Sequence, residues 1–205
     1  MPINQYHAMF YLNDWFDADK SFHNGLKANT SEKRRNAFIE ICKYYRITRN
    51  FKILPTEERL QSALDLLEEV SKPGPSDFIK STMELASAYK DKYEKYALSA
   101  ASKTLWVKHL DHIIIYDNLV GDYLVSLGYR NAKHGYSEYC AAWTTEFSKH
   151  HNSIQKHCFS LVSGKHFSLA HSENDTDIQL LSSQQWFQYR VFDKFAWIQG
   201  SRLNA

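Results

Sequence analysis

Two short segments carry residue types able to do chemistry. In Ala100-Ala101-Ser102-Lys103-Thr104-Leu105-Trp106 a lysine sits in an apolar helical pattern; in Ile113-Ile114-Ile115-Tyr116-Asp117-Asn118-Leu119-Val120 an aspartate opens the next one. An ammonium desolvated beside Leu105, Trp106 and Val107 gives up its proton more readily, and the neutral amine can attack a sugar C1′ or condense with a carbonyl. An aspartate set opposite it at a helix start would stabilise positive charge on a sugar ring and orient the attack. Plainer roles stand beside these. Asp117 reads equally as a helix N-cap, worth ~1 kcal/mol, and Lys103 as a lysine snorkelling from a packed face.

The elements that must hold these residues read as helices. A hydroxyl cap at Thr30-Ser31-Glu32 precedes Phe38, Ile41 and Tyr45, and Thr56 precedes Leu60, Leu64 and Leu67 on a stretch ending near Val70. Ser71-Lys72-Pro73-Gly74-Pro75-Ser76 breaks the chain and is the natural linker between an N-terminal helical subdomain, 1–72, and a catalytic helical core, 77–205, of one compact unit, 1–205. From Asp77 to Leu110 the pattern predicts two helices joined near Leu98. His112 to Tyr116 is an apolar connector, and Asp117 opens a helix that stops at Gly128. Helices are also expected over Tyr136 to Phe147 and Ser182 to Ile198. The polar, histidine-rich stretch from Ser148 to Thr176 reads as a loop or irregular insert.

Composition bounds the class. A chain of 205 residues with 43% hydrophobic and 23% charged residues has the make-up of a folded domain. Seven glycines and four prolines are too few for a turn-dense β-sandwich or propeller, so the fold class is mainly α. A net charge of +2 gives no overall basic field, although Lys33, Arg34, Arg35, Arg46, Arg49 and Lys52 form a candidate phosphate-facing stripe. Cys42, Cys140 and Cys158 fit neither a disulfide framework nor a zinc pair. His150, His151, His157, His166 and His171 lack metal-ligand spacing, so no metal is expected. The apolar run Ile113-Ile114-Ile115 is far too short to span a bilayer, and no secretory signal is visible; a cytoplasmic protein with no membrane partner is expected.

The Lys103 and Asp117 segments together resemble the helix–hairpin–helix superfamily of DNA glycosylases, specifically its 8-oxoguanine DNA glycosylase branch. There a catalytic lysine begins a core helix and a catalytic aspartate starts the next. Lys103 matches the lysine, and Asp117 with Val120, Leu124, Leu127 and Gly128 matches the aspartate helix. Tyr189-Arg190-Val191-Phe192-Asp193-Lys194-Phe195-Ala196-Trp197 looks like the closing helix of compact bacterial proteins of this fold, and Tyr45-Arg46-Ile47-Thr48-Arg49-Asn50-Phe51 is also similar to that group. Leu98-Ser99-Ala100-Ala101-Ser102 holds no glycine where the family has its phosphate-binding hairpin, and the lysine–aspartate spacing is shorter than the family's.

The resemblance implies an 8-oxoguanine-glycosylase-like helical fold without a clear glycine-rich hairpin. It implies release of a modified purine-like base from nucleic acid by Lys103 and Asp117, with β-lyase activity and no cofactor. The partner would be DNA carrying a modified or abasic nucleotide. Such enzymes flip the base between flat or apolar side chains. Trp106 and Val107, three and four residues beyond Lys103, are the expected pocket residues, with Trp197 as an opposite wall and Phe195 beside it. Two alternatives keep the fold. Similar small proteins occur in bacterial antiviral operons, including the CBASS type, where the target would be a modified base or a nucleotide–protein conjugate and other operon proteins would be partners. The second is a catalytically silent module that binds nucleic acid or a partner protein.

Overall fold

The structure is a computed structural model that describes residues 3–51 and 56–204, with backbone alone for 56 and 57. It is mainly helical, and no strand occurs among the described residues. In chain order the helices are α1 (Gln5–Asp14), α2 (Lys20–Leu26), α3 (Ser31–Tyr44), α4 (Thr56–Glu69), α5 (Phe78–Tyr93) and α6 (Leu98–His109). They continue with α7 (Asn118–Ser126), α8 (Tyr136–Phe159), α9 (Leu161–Gly164), α10 (Asp175–Ser183) and α11 (Gln185–Leu203). The chain divides into two compact units: residues 19–116, and residues 1–18 with 117–205.

In the 19–116 unit the helix signals of the sequence are realised at their expected places. Thr30 Oγ1 accepts from the Lys33 N–H at 3.4 Å and opens α3. The side chain of Thr56, read as the cap of α4, lies outside the described residues. At the other end of α4, Lys108 Nζ donates to the carbonyls of Leu67 at 2.7 Å and Val70 at 2.6 Å, satisfying groups that a helix C-terminus leaves open. Ser71–Ser76 then joins α4 to α5 within this same unit. The junction between α5 and α6 falls at 94–97, and the connector 110–116 is irregular, as read. Phe38, Phe51, Tyr89 and Tyr93 form the aromatic centre. The Phe51 ring meets both tyrosine rings edge-on at 5.1 Å, and Tyr93 Oη donates to the Arg59 carbonyl at 2.6 Å.

Beyond Phe147 the other unit departs from expectation at three places. Helix α8 does not stop at Phe147 but runs on to Phe159, through the first part of the stretch read as a loop. Its buried stripe passes through Tyr139, Trp143, Glu146 and Phe147, then Ile154 and Cys158. His150 and His151 fill the intervening positions by laying their rings on Phe195 at 5.4 Å and Phe147 at 5.2 Å. Both rings add aromatic contacts to the core, and His150 also keeps a polar bond through Nε2 to Glu146 Oε1 at 3.2 Å. Second, α9 and a 3-10 turn, Lys165–Phe167, occupy more of the same stretch. Third, the helix expected over Ser182 to Ile198 is two helices, broken at the extended residue Gln184, with Asn174 capping α10.

The N-terminus holds a helix that no periodic signal announced. Asn4 closes a capping box on α1: its side chain accepts from the Tyr6 N–H at 3.1 Å, and its own N–H donates to His7 Nδ1 at 3.2 Å. Trp143, Phe147, Tyr189 and Phe192 make the core of this unit, with edge-to-face centroid distances of 4.8–4.9 Å. Helix α11 crosses the first turn of α7 so closely that a Cβ at Gly200 would lie 1.9 Å from the Leu119 carbonyl oxygen. Helix α7 ends as its sequence predicts. Gly128 takes φ +98°, and the Tyr129 N–H returns to the Leu124 carbonyl at 3.1 Å.

Candidate active site

Lys103 is the sixth residue of α6, not its first. Leu98–Ser102, where the resemblance puts a phosphate-binding hairpin, forms the opening of that helix, with the Ala101 N–H bonded to the Ala97 carbonyl at 2.9 Å. The Lys103 side chain is half-buried, and its Nζ lies 5.9 Å from the centroid of the Tyr45 ring. Tyr45 in turn donates its phenolic proton to Asp19 Oδ1 at 2.6 Å. Asp19 is 1% exposed and ends a π-helical turn, Trp15–Asp19. Neither Tyr45 nor Asp19 stood out as a site residue in sequence, because neither lies near Lys103 along the chain.

Directly before Lys103, the buried Ser102 hydroxyl accepts from the Tyr116 N–H at 3.0 Å. This bond ties the end of the connector back to α6 and fixes the residue that precedes Asp117. Asp117 is extended and caps α7, its Oδ1 accepting from the Leu119 N–H at 3.0 Å, while its own N–H donates to the Tyr139 hydroxyl at 3.4 Å. Tyr139 is fully buried. Burial raises its phenol well above the ordinary value, with the charges of Asp193 and Asp117 adding to the rise.

Asp193 belongs to the same unit as Asp117 and is 7% exposed. Burial pushes its carboxyl up, the neighbouring Arg190 opposes that, and the charge of Asp117 adds to it. Arg190 forms an ion pair with Asp193, and its guanidinium lies 5.4 Å from the Tyr11 ring centroid. The pair lies within residues 189–197 on α11, and tertiary packing makes it a buried pair.

The expected pocket residues divide. Trp106 and Val107 are sealed, 1% and 0% exposed, and the Val107 carbonyl is bonded to His23 Nδ1 at 2.7 Å. Neither offers surface to a ligand in this conformation. Trp197 on α11 is 42% exposed, whereas Phe195 is buried. Of the basic stripe, Lys33, Arg46 and Arg49 are exposed, and Lys52 lies outside the described residues. Arg34 is engaged with Glu68 at 2.6 Å and the Ala28 carbonyl at 3.0 Å. A groove of about 470 Å³ along α4 and α5, lined by Leu66, Glu69, Val70, Lys72, Asp77 and Leu85 among others, does not include Lys103.

Among the described residues no group of three or more His, Cys, Asp or Glu is placed to hold a metal ion. Cys42, Cys140 and Cys158 are free and buried, and burial pushes their thiols up to about 12. No described helix is long and apolar enough to cross a membrane. No protein-family model, curated protein or solved structure matches the chain.

Proposed function

We propose that the chain is an N-glycosylase with β-lyase activity that releases a modified purine-like base from DNA, with Lys103 as nucleophile and Asp117 as its electrostatic partner. It rests on an 8-oxoguanine-glycosylase-like reading of the fold. The observation that carries it is local. A half-buried lysine on a packed helix is followed by a connector whose last residue is bonded back to Ser102, and then by an aspartate that caps the next helix.

In the reaction, the Lys103 Nζ lone pair adds to C1′, and the bond from C1′ to the base breaks with its electrons leaving on the base, which takes up a proton. The added nitrogen then gives up one proton and O4′ takes one up as the C1′–O4′ bond opens, leaving a protonated imine between Nζ and C1′. Loss of a C2′ proton expels the 3′ phosphate. The Asp117 carboxylate stabilises the positive charge that develops on the sugar. No cofactor takes part.

A second reading is favoured by the helical course of Leu98–Ser102, which opens α6 with the Ala101 N–H bonded to the Ala97 carbonyl where the resemblance expects a glycine-rich hairpin. On that reading the chain is a silent module that binds nucleic acid without cutting it. Single-turnover base release from a panel of duplexes bearing oxidised, alkylated and deazaguanine-type bases separates the two. The glycosylase releases at least one base and loses that activity in Lys103→Gln; binding to the panel with no release from any member selects the module. Activity confined to a base of viral type would place the enzyme in the antiviral setting.

A further inference from the structure

We propose that Tyr45 is a positioning residue for Lys103 and that Asp19 acts on the lysine through Tyr45. The proposal deepens the glycosylase reading and rests on it for the purpose of the device, though not for its existence.

Three local features converge on this cluster, whose three side chains, Lys103, Tyr45 and Asp19, belong to the 19–116 unit. The Tyr45 ring lies under the Lys103 ammonium at 5.9 Å from its centroid, within the reach of a cation–π attraction. The ring is not free to swing, because its hydroxyl donates to a carboxylate at 2.6 Å, the short distance of a charge-assisted bond. That carboxylate is itself fixed, 1% exposed, on a π-helical turn. Such turns forgo regular helix bonding and recur where a side chain must be re-aimed.

The chain around Tyr45 is equally particular. Tyr45 is the C-cap of α3, and Arg46 after it adopts φ +54°, a left-handed conformation uncommon for a residue with a Cβ. The Ile47 N–H then returns to the Cys42 carbonyl at 2.9 Å, closing the helix end that holds the tyrosine. Asp19 thereby anchors a flat platform, and the platform restricts a side chain with four rotatable bonds. A nucleophile restricted in this way approaches C1′ from one direction, which is the usual source of an orientation advantage. The Ser102 bond to Tyr116 fixes the backbone immediately before the lysine, so both ends of the side chain are held.

The test reads the lysine directly and does not depend on DNA. The intact protein is labelled with a trace of acetic anhydride, and acetylation of Lys103 is measured by peptide mass spectrometry against Lys80, whose side chain is 77% exposed. In Tyr45→Phe, which keeps the ring and cuts its bond to Asp19, the Lys103-to-Lys80 ratio rises roughly threefold as the amine swings outward. Tyr45→Leu raises it at least as far. Asp19→Ala, which leaves no acceptor for the Tyr45 hydroxyl, raises it as Tyr45→Phe does, and the double variant adds nothing, because both changes cut one link. A ratio that stays at the parent value in folded Tyr45→Phe and Tyr45→Leu overturns the proposal, as does an additive double variant. Melting curves identify the folded variants, and if Asp19→Ala does not fold, the two Tyr45 variants decide.

Imine formation on abasic-site DNA is measured in parallel by borohydride trapping. At saturating DNA it slows roughly tenfold in Tyr45→Phe with half-saturation unchanged. A changed labelling ratio in a protein whose parent form traps no DNA keeps the latch and sinks the glycosylase reading.

Discussion

At Asp117 a helix cap and a catalyst make the same hydrogen bond, and an isosteric change separates them. Asn accepts from the Leu119 N–H as well as Asp does, so Asp117→Asn leaves the melting temperature nearly unchanged. On the proposed mechanism it also removes the charge that stabilises a cationic sugar, so the expected outcome is base release slower by at least ~100-fold, about 2.7 kcal/mol of barrier. Single-turnover release beside a melting curve checks this, and an unchanged rate in the folded variant leaves Asp117 a cap. His109 supplies a second prediction at this scale. Burial, with Lys108 nearby, takes its ring from 6.5 down to about 4. Between those values the unfolded chain holds a proton that the folded chain lacks, so stability is full above pH 6.5 and falls as pH drops towards 4. Urea midpoints across that range decline less steeply in His109→Gln. The cap at Asp117 was legible because capping is a matter of adjacent residues. The pairing of Tyr45 with Asp19, and the burial of Arg190 with Asp193, were not, since each depends on packing that sequence spacing does not encode.

Among the elements, α7 and α11 depend on one glycine. No Cβ fits at Gly200 against the Leu119 carbonyl, so Gly200→Ala forces the two helices apart and costs at least ~3 kcal/mol in denaturant unfolding. A cost under ~1 kcal/mol would mean that the crossing relaxes freely. Helices with local signals were legible: α3 from its Thr30 cap, α7 from Asp117 and Gly128, and the α5–α6 junction from its break in periodicity. Helix α8 beyond Phe147 was not, because His150 and His151 bury ring faces while scoring as polar. Helix α1 was missed for a related reason. Its buried positions, His7, Ala8, Tyr11 and Leu12, mix a polar ring and a small residue with two large apolar ones.

For the whole molecule, the division into residues 19–116 and a unit assembled from both ends of the chain does not follow the Ser71–Ser76 break, because a prolyl turn marks a change of direction and not the limit of a core. The near-neutral charge and the helical course of Leu98–Ser102 imply few phosphate contacts, so the salt dependence of DNA binding corresponds to roughly two to four of them. Titrations over a range of salt check this, and a slope worth roughly eight contacts would reveal a strongly basic face. The proposed role of Lys103 as nucleophile is tested by borohydride reduction of the protein with abasic-site DNA, followed by peptide mass mapping of the adduct. If Lys103 is the nucleophile, a single residue is modified, Lys103, and folded Lys103→Gln forms no adduct; an adduct on another amine, or equal trapping in the variant, contradicts that role.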